Sequence, residues 1–176
     1  RHRGSLFGGQ GAQPSQKAFE GALALALASL DPTRPVVIEA ESSRIGNCRL
    51  PPEIWKAMVA APRVAIAAPR AARAAYLGGA YADLTADPAR LAATISQMHR
   101  LHPREVIDGW QVLAAAGDHV ALADSLMEHH YDPRYGKHRA RMSMGVVEVA
   151  ADGLQPEALP GIAAQVVQAV RGLTGT

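Results

Sequence analysis

The run Val36-Val37-Ile38 follows a proline and leads directly into Glu39, Ala40 and Glu41, then into the polar turn Ser42-Ser43-Arg44-Ile45-Gly46. Three consecutive β-branched apolar residues offer no polar face. They predict a short strand buried on both sides, of the kind found inside parallel sheets, with its carboxylates delivered at the carboxyl end. In open α/β sheets ligands bind outside that end of the strands. Glu39, Glu41, Ser42 and Arg44 are therefore the first candidates for contact with a ligand.

The remaining segments are read outward from this strand. Arg1-His2-Arg3-Gly4-Ser5-Leu6-Phe7-Gly8-Gly9 is glycine-rich and basic. Its backbone can approach a ligand closely and its arginines suit phosphate, although a frayed terminus would have the same composition. Ser15 is placed to cap a helix whose stripe is Phe19, Ala22, Leu23, Ala26, Leu27 and Leu30. Pro51-Pro52 opens a short helix carrying Ile54, Trp55, Met58 and Val59 on one side. A second strand is expected at Val64 to Ala67, followed by a helix with Tyr76, Leu77, Tyr81 and Leu84 in register. Strand, helix, strand, helix at this spacing argues for βαβ units on a parallel sheet. From Asp87 to His130 the pattern is helical, broken at His102-Pro103 and Gly117-Asp118. Tyr131 to Gly136 reads as a loop because of its proline and glycine. Met144 to Val149 reads as a third strand, and Ile162 to Val170 as a closing helix.

Composition removes several classes. At 176 residues the chain can bury one core, and its formal net charge of +2 makes any nucleic-acid contact a matter of a local patch. The single cysteine, Cys48, excludes an intramolecular disulfide and a cysteine-based zinc site, which suits a reducing compartment. No stretch is apolar enough to span a bilayer. The chain opens on Arg1 instead of methionine, and we read it as a fragment.

The phosphate-binding signature G-x-x-x-x-G-K-[ST] is absent, and the tail Gly172-Leu173-Thr174-Gly175-Thr176 lacks its Gly-Lys pair. The seven histidines form no zinc-hydrolase pattern and read as surface or loop residues. Arg134, Lys137, His138, Arg139 and Arg141 are the densest basic run, beside Tyr131 and Tyr135. Such a run suits an RNA backbone, with the tyrosines available for stacking; a solvated loop has the same composition.

Four blocks together carry a family resemblance. They are His2-Arg3-Gly4-Ser5; Gln13-Pro14-Ser15-Gln16-Lys17-Ala18-Phe19-Glu20; Val37-Ile38-Glu39-Ala40-Glu41-Ser42 with Arg44-Ile45-Gly46; and His130-Tyr131-Asp132-Pro133 with Tyr135. In order and spacing they resemble the C-terminal domain of tRNA 2-selenouridine synthase. The resemblance implies a bacterial, cytoplasmic enzyme acting on the wobble uridine in the anticodon arm of tRNA. Selenium from selenophosphate replaces the sulfur of 2-thiouridine by way of an S-geranyl intermediate made from geranyl diphosphate.

The fold so implied is α/β, a three-layer P-loop NTPase-like, mostly parallel sheet with a helical extension at about residues 87–130, incomplete in residues 1–176. An N-terminal rhodanese-like domain in cis would carry the catalytic cysteine, so no catalytic residue is assigned in this chain and the chain alone is expected to be inactive. Arg3, Gly4, Ser5, Gln16, Glu39, Glu41, Ser42 and Arg44 are the expected phosphate or substrate contacts, with Mg²⁺ a possible ion at the acidic pair. Tyr131, Arg134, Tyr135, Lys137 and Arg139 are the expected tRNA contacts. Two other readings stand beside this one. The arginines of Pro69-Arg70-Ala71-Ala72-Arg73, directly after a strand, also suit a small P-loop kinase that clamps a transferred phosphoryl group. The third reading is a non-catalytic module that binds anions or tRNA.

Overall fold

A computed structural model of the chain describes residues 12–39, 42–139 and 145–175, with side chains throughout except at 137–139. Helix α1 (Gln16–Ala28) begins where Ser15 Oγ accepts a hydrogen bond from the Ala18 amide at 3.3 Å. Phe19, Leu23 and Leu27, four residues apart, are its half-buried positions, and no residue of the helix is fully buried. Beside its N-terminus, β1 (Arg44–Ile45) and β2 (Cys48–Arg49) form a small antiparallel hairpin. Gly46 takes a left-handed conformation, φ 61°, at the turn. A Cβ there would run into the Gln13 side chain, so both backbone strain and space favour glycine.

Helix α2 (Pro52–Ala60) starts at the expected proline, and Ile54, Trp55, Met58 and Val59 all lie on its half-buried face. Strand β3 (Arg63–Ala67) pairs in parallel with β4 (Val146–Ala150), in a register running from Arg63 opposite Val146 to Ala67 opposite Ala150. Helix α9 (Leu159–Thr174) covers this ladder, where Val149, Ala151 and Ile162 are buried against Val64, Leu154 and Val166. Gly175, at φ 69°, ends the helix by donating its amide to the Arg171 carbonyl.

Between the two parallel strands the chain is helical. The elements are α3 (Arg70–Ala80), α4 (Ala82–Thr85), α5 (Pro88–Ser96), α6 (Arg104–Ala115), α7 (His119–Leu126) and α8 (Asp132–Arg139). A 3₁₀ turn, Gln97–Arg100, follows α5, and a π turn, Met127–Tyr131, joins α7 to α8. Short acidic side chains set two of the starts: Asp87 accepts from the Arg90 amide and Asp118 from the Ala121 amide. Their shared core contains Leu84, Leu91, Ile95, Met98, Trp110 and Leu122. Trp110 is buried with its indole N–H donating to Ser125 Oγ at 3.0 Å, which satisfies the one polar atom it brings inside. Gly78 lets α3 approach α7, since a Cβ at that position would lie 3.1 Å from Val120 Cγ2.

The architecture is mixed α/β, mostly helical, with a small parallel sheet. Two sequence expectations are corrected. Residues 36–38 form no strand: Val36, Val37 and Ile38 carry no regular structure and are 50, 69 and 48% exposed. β propensity needs a ladder partner for the backbone, and no strand among the described residues pairs with this run. The segment from Tyr131 to Gly136 is helical, not a loop. Pro133 is the second residue of α8, directly after the π turn that joins α7 to α8, so the proline lies within a continuous helical run at the point where the regular i→i−4 ladder is already interrupted.

Candidate functional site

An apolar cavity of about 350 Å³ lies among α3, α4, α5, α7 and α8, with Leu154 on its border. This is the lower part of the size range typical of small-molecule sites. Its deep part is lined by Leu84, Leu91, Leu122, Leu126 and Met127, all buried. The more exposed part is aromatic, contributed by Tyr76, Tyr81, Tyr131 and Tyr135. Tyr131, the last residue of the π turn, and Tyr135 on α8 stack with ring centroids 6.4 Å apart and planes inclined by 22°. The π turn places them there: it carries the chain from α7 into α8 with Met127 and Tyr131 on the cavity and His130 buried beside them. π turns of this sort are often found at functional sites.

Charge enters at one place. Arg73 on α3 and Asp132 at the start of α8 both line the cavity and form a bidentate pair, Nη1 to Oδ1 at 2.7 Å and Nη2 to Oδ2 at 2.8 Å. The Asp132 hydrogen bonds raise the Arg73 pKa further above its already high value. One turn earlier, Arg70 donates from Nε to Asp124 at 2.9 Å and lies 3.3 Å from Glu128. The arginines after β3 are thus held by carboxylates of this chain, in place of the phosphoryl clamp that a kinase reading requires. Asp124, Glu128 and Asp132 recur every fourth residue. That spacing opposite an Arg-x-x-Arg pair was the available sequence signal for the contact between α3 and the α7–α8 corner.

Two histidines behind the wall differ from the sequence reading of surface residues. His130 is 5% exposed, and its Nδ1 lies 2.7 Å from Nε2 of half-buried His102. Burial, with the positive Arg134 nearby, pushes the His130 pKa down to about 4 and lowers that of His102. Among the described residues no three potential metal ligands cluster.

The expected phosphate contacts fall elsewhere or outside. Arg3, Gly4, Ser5 and Glu41 lie outside the described residues, and Glu39 is exposed at the end of the irregular run. Gln16 bridges to the hairpin: its amide donates to the Arg49 carbonyl at 2.8 Å and its oxygen accepts from the Arg49 amide at 2.9 Å. Gln13 repeats the pattern on Ile45 and Asn47. Ser42 Oγ accepts from the Arg44 amide, and Arg44 Nε donates to the Gly46 carbonyl at 2.7 Å. Cys48 is buried within the hairpin, its thiol donating to the Pro14 carbonyl. Of the expected tRNA contacts, Tyr131 and Tyr135 come together at the cavity and Arg134 is exposed between them on α8. Lys137 and Arg139 belong to the same helix, and their side chains are outside the description.

A short parallel ladder backed by a helix, with a largely apolar cavity among the helices that connect its strands, defines a mixed α/β domain. The chain belongs to the tRNA 2-selenouridine synthase AAA domain family, whose model matches residues 1–102. It is 45% identical over 69 residues to the tRNA 2-selenouridine synthase of Hahella chejuensis, a match covering 37% of this chain and 18% of that protein. It is 43% identical over 68 residues to the tRNA 2-selenouridine synthase of Alcanivorax borkumensis, covering 37% and 19%. The corresponding figures for the Aeromonas salmonicida protein of the same name are 42% over 76 residues, 42% and 20%. The chain therefore spans about a fifth of the length of these curated relatives. No solved structure gives a significant match. The cavity straddles the end of the family match, with its α3–α5 side inside the matched residues and its α7–α8 side beyond them. No helix among the described residues is long and apolar enough to cross a membrane.

Proposed function

We propose that the chain is part of a cytoplasmic tRNA-modifying enzyme that converts wobble 2-thiouridine to 2-selenouridine with selenophosphate, and that the cavity receives the geranyl chain. The observation that carries this reading is the cavity itself: an apolar space lined by leucines and tyrosines, in a domain whose relatives are named tRNA 2-selenouridine synthases. In the first step the uridine sulfur attacks the carbon bearing the diphosphate, a C–S bond forms, the C–O bond breaks and diphosphate leaves. In the second, the selenium of selenophosphate attacks C2 of the base, the C2–S bond breaks and geranylthiol leaves, and water then takes the phosphoryl group from selenium as phosphate.

Both steps place an isoprenoid chain and a pyrimidine side by side. Burying a chain of about ten carbons at roughly 0.8 kcal/mol per carbon supplies gross binding of order 8 kcal/mol, before the cost of ordering it. The Tyr131 and Tyr135 rings at the same cavity offer faces on which the base can stack, worth roughly 1–3 kcal/mol per base. Arg134, with Lys137 and Arg139 on the same helix, supports contact with the tRNA backbone. Arg3, Gly4 and Ser5, with Glu39 and Glu41, are proposed for the diphosphate or selenophosphate and any Mg²⁺ that accompanies it. Gln16, Ser42 and Arg44 serve this site by bracing the hairpin. The sheet of the whole domain is proposed to be the three-layer P-loop type. A rhodanese-like domain in cis supplies the cysteine, so the isolated chain is inactive.

Ala123 lines the cavity and is half-buried, so Ala123→Phe fills space without breaking a polar contact. In the full-length enzyme this variant should raise the KM for geranyl diphosphate by about tenfold or more, equivalent to ~1.4 kcal/mol, with tRNA affinity unchanged. Unaltered geranylation kinetics would refute the assignment.

A further inference from the structure

His102 sits in the corner between the 3₁₀ turn and α6, and His130 in the π turn, so the 2.7 Å contact between their ring nitrogens ties two separate bends of the chain. The rings are caged by aromatics. His102 meets Trp110 edge-on at 4.9 Å, and His130 meets Tyr131 edge-on at 4.9 Å. Neither histidine lines the cavity, yet Met127 and Tyr131 on either side of His130 do. Fixing His130 therefore fixes the wall.

A contact this short between two imidazole nitrogens requires a hydrogen on one and a lone pair on the other. The pair satisfies that rule when both rings are neutral, and it also does so when they share one extra proton. With a second proton both nitrogens carry hydrogens, and two like charges face each other at a buried and a half-buried ring. We propose that the His102–His130 pair is a proton-sensitive clasp on the cavity wall, closed while either ring is neutral and released when both are protonated, freeing residues 127–135 from the His102 corner. Besides burial, Arg134 from α8 bears on both rings and His129 from the turn bears on His102, and the group facing them from α6 is the uncharged Trp110. Burial and the positive Arg134 oppose the second proton. The clasp is consequently closed at neutral pH and opens under acid, and this holds whatever the cavity binds.

Hydrogen exchange of the whole chain, read by mass spectrometry at about pH 7 and about pH 4 and corrected for intrinsic rates, tests the proposal. Protection of residues 127–135 should fall at least about tenfold more on acidification than protection of α5, because α5 carries no part of the pair. His102→Gln keeps a hydrogen-bonding group at the half-buried position but cannot accept the second proton, so the selective loss should disappear. His130→Phe should behave likewise; should it not fold, His102→Gln alone decides. An equal fall in both regions of the wild type, or a selective fall that persists in His102→Gln, would overturn the clasp.

Discussion

Breaking the Arg73–Asp132 pair is the perturbation whose size follows most directly from the geometry. Two charge-assisted hydrogen bonds of 2.7 and 2.8 Å link α3 to α8 across the cavity. Bonds to charged groups are worth roughly 1.5–3 kcal/mol when shielded, whereas exposed ion pairs contribute about 0–1 kcal/mol. The side chains here are 34 and 33% exposed, so the pair belongs between these limits. We expect a coupling energy of about 1.5 kcal/mol. The cycle uses Arg73→Met, which keeps the aliphatic stem against the apolar wall, and Asp132→Asn, which keeps the shape of the acceptor. Each single variant should lose about 2 kcal/mol, since each strands a partly covered charge, and the double variant should lose clearly less than the sum. Urea unfolding of the four proteins measures this, with m required to stay constant. A coupling below about 0.3 kcal/mol would mean that the pair is an incidental surface contact and that α8 is held by apolar packing alone.

Other outcomes follow from single residues. Trp110→Ala should cost about 3–5 kcal/mol in denaturant unfolding, whereas Trp110→Phe, which loses mainly the bond to Ser125, should cost about 1–2 kcal/mol. Gly46→Ala should destabilise the hairpin by about 1–3 kcal/mol, because it combines a left-handed φ with a collision at Gln13; proteolysis within residues 42–50 should quicken accordingly. His130 has a folded-state pKa near 4 against an ordinary 6.5, so the unfolded chain binds the extra proton between these values. Stability is then fully present above about pH 6.5 and falls as pH drops towards 4, by at most about 3 kcal/mol at ~1.36 kcal/mol per pH unit. His130→Phe should flatten that part of the pH–stability curve.

Local signals in the sequence located most elements. Ser15 as a cap, Pro52 as a helix start, the β-branched runs of β3 and β4, and the breaks at His102-Pro103 and Gly117-Asp118 all act through their immediate neighbours. What depends on distant partners was not legible. The run 36–38 has a strand's composition, but strand formation also requires a neighbour, which composition does not report. Pro133 reads as a breaker until the π turn just before it is known, since that interruption of the helical ladder lets the helix continue past the proline. The candidate site suffered similarly. Tyr131 and Tyr135 stood out because aromatics beside a basic run are conspicuous, whereas the leucines and Ala123 of the cavity look like ordinary core. Their geometry leaves a space between them, and no single residue encodes a space. Gln16 likewise looks like a ligand contact until its hydrogen bonds to Arg49 are seen.

Photolabelling reports most directly on whether the cavity holds an isoprenoid chain. A geranyl diphosphate analogue bearing a diazirine at the chain terminus would be irradiated with the full-length enzyme and the labelled peptides sequenced by mass spectrometry. The account predicts adducts within residues 76–91 and 119–135, suppressed by unlabelled geranyl diphosphate and weakened in Ala123→Phe. Competable labelling confined to peptides away from the cavity, such as residues 12–60, would contradict it.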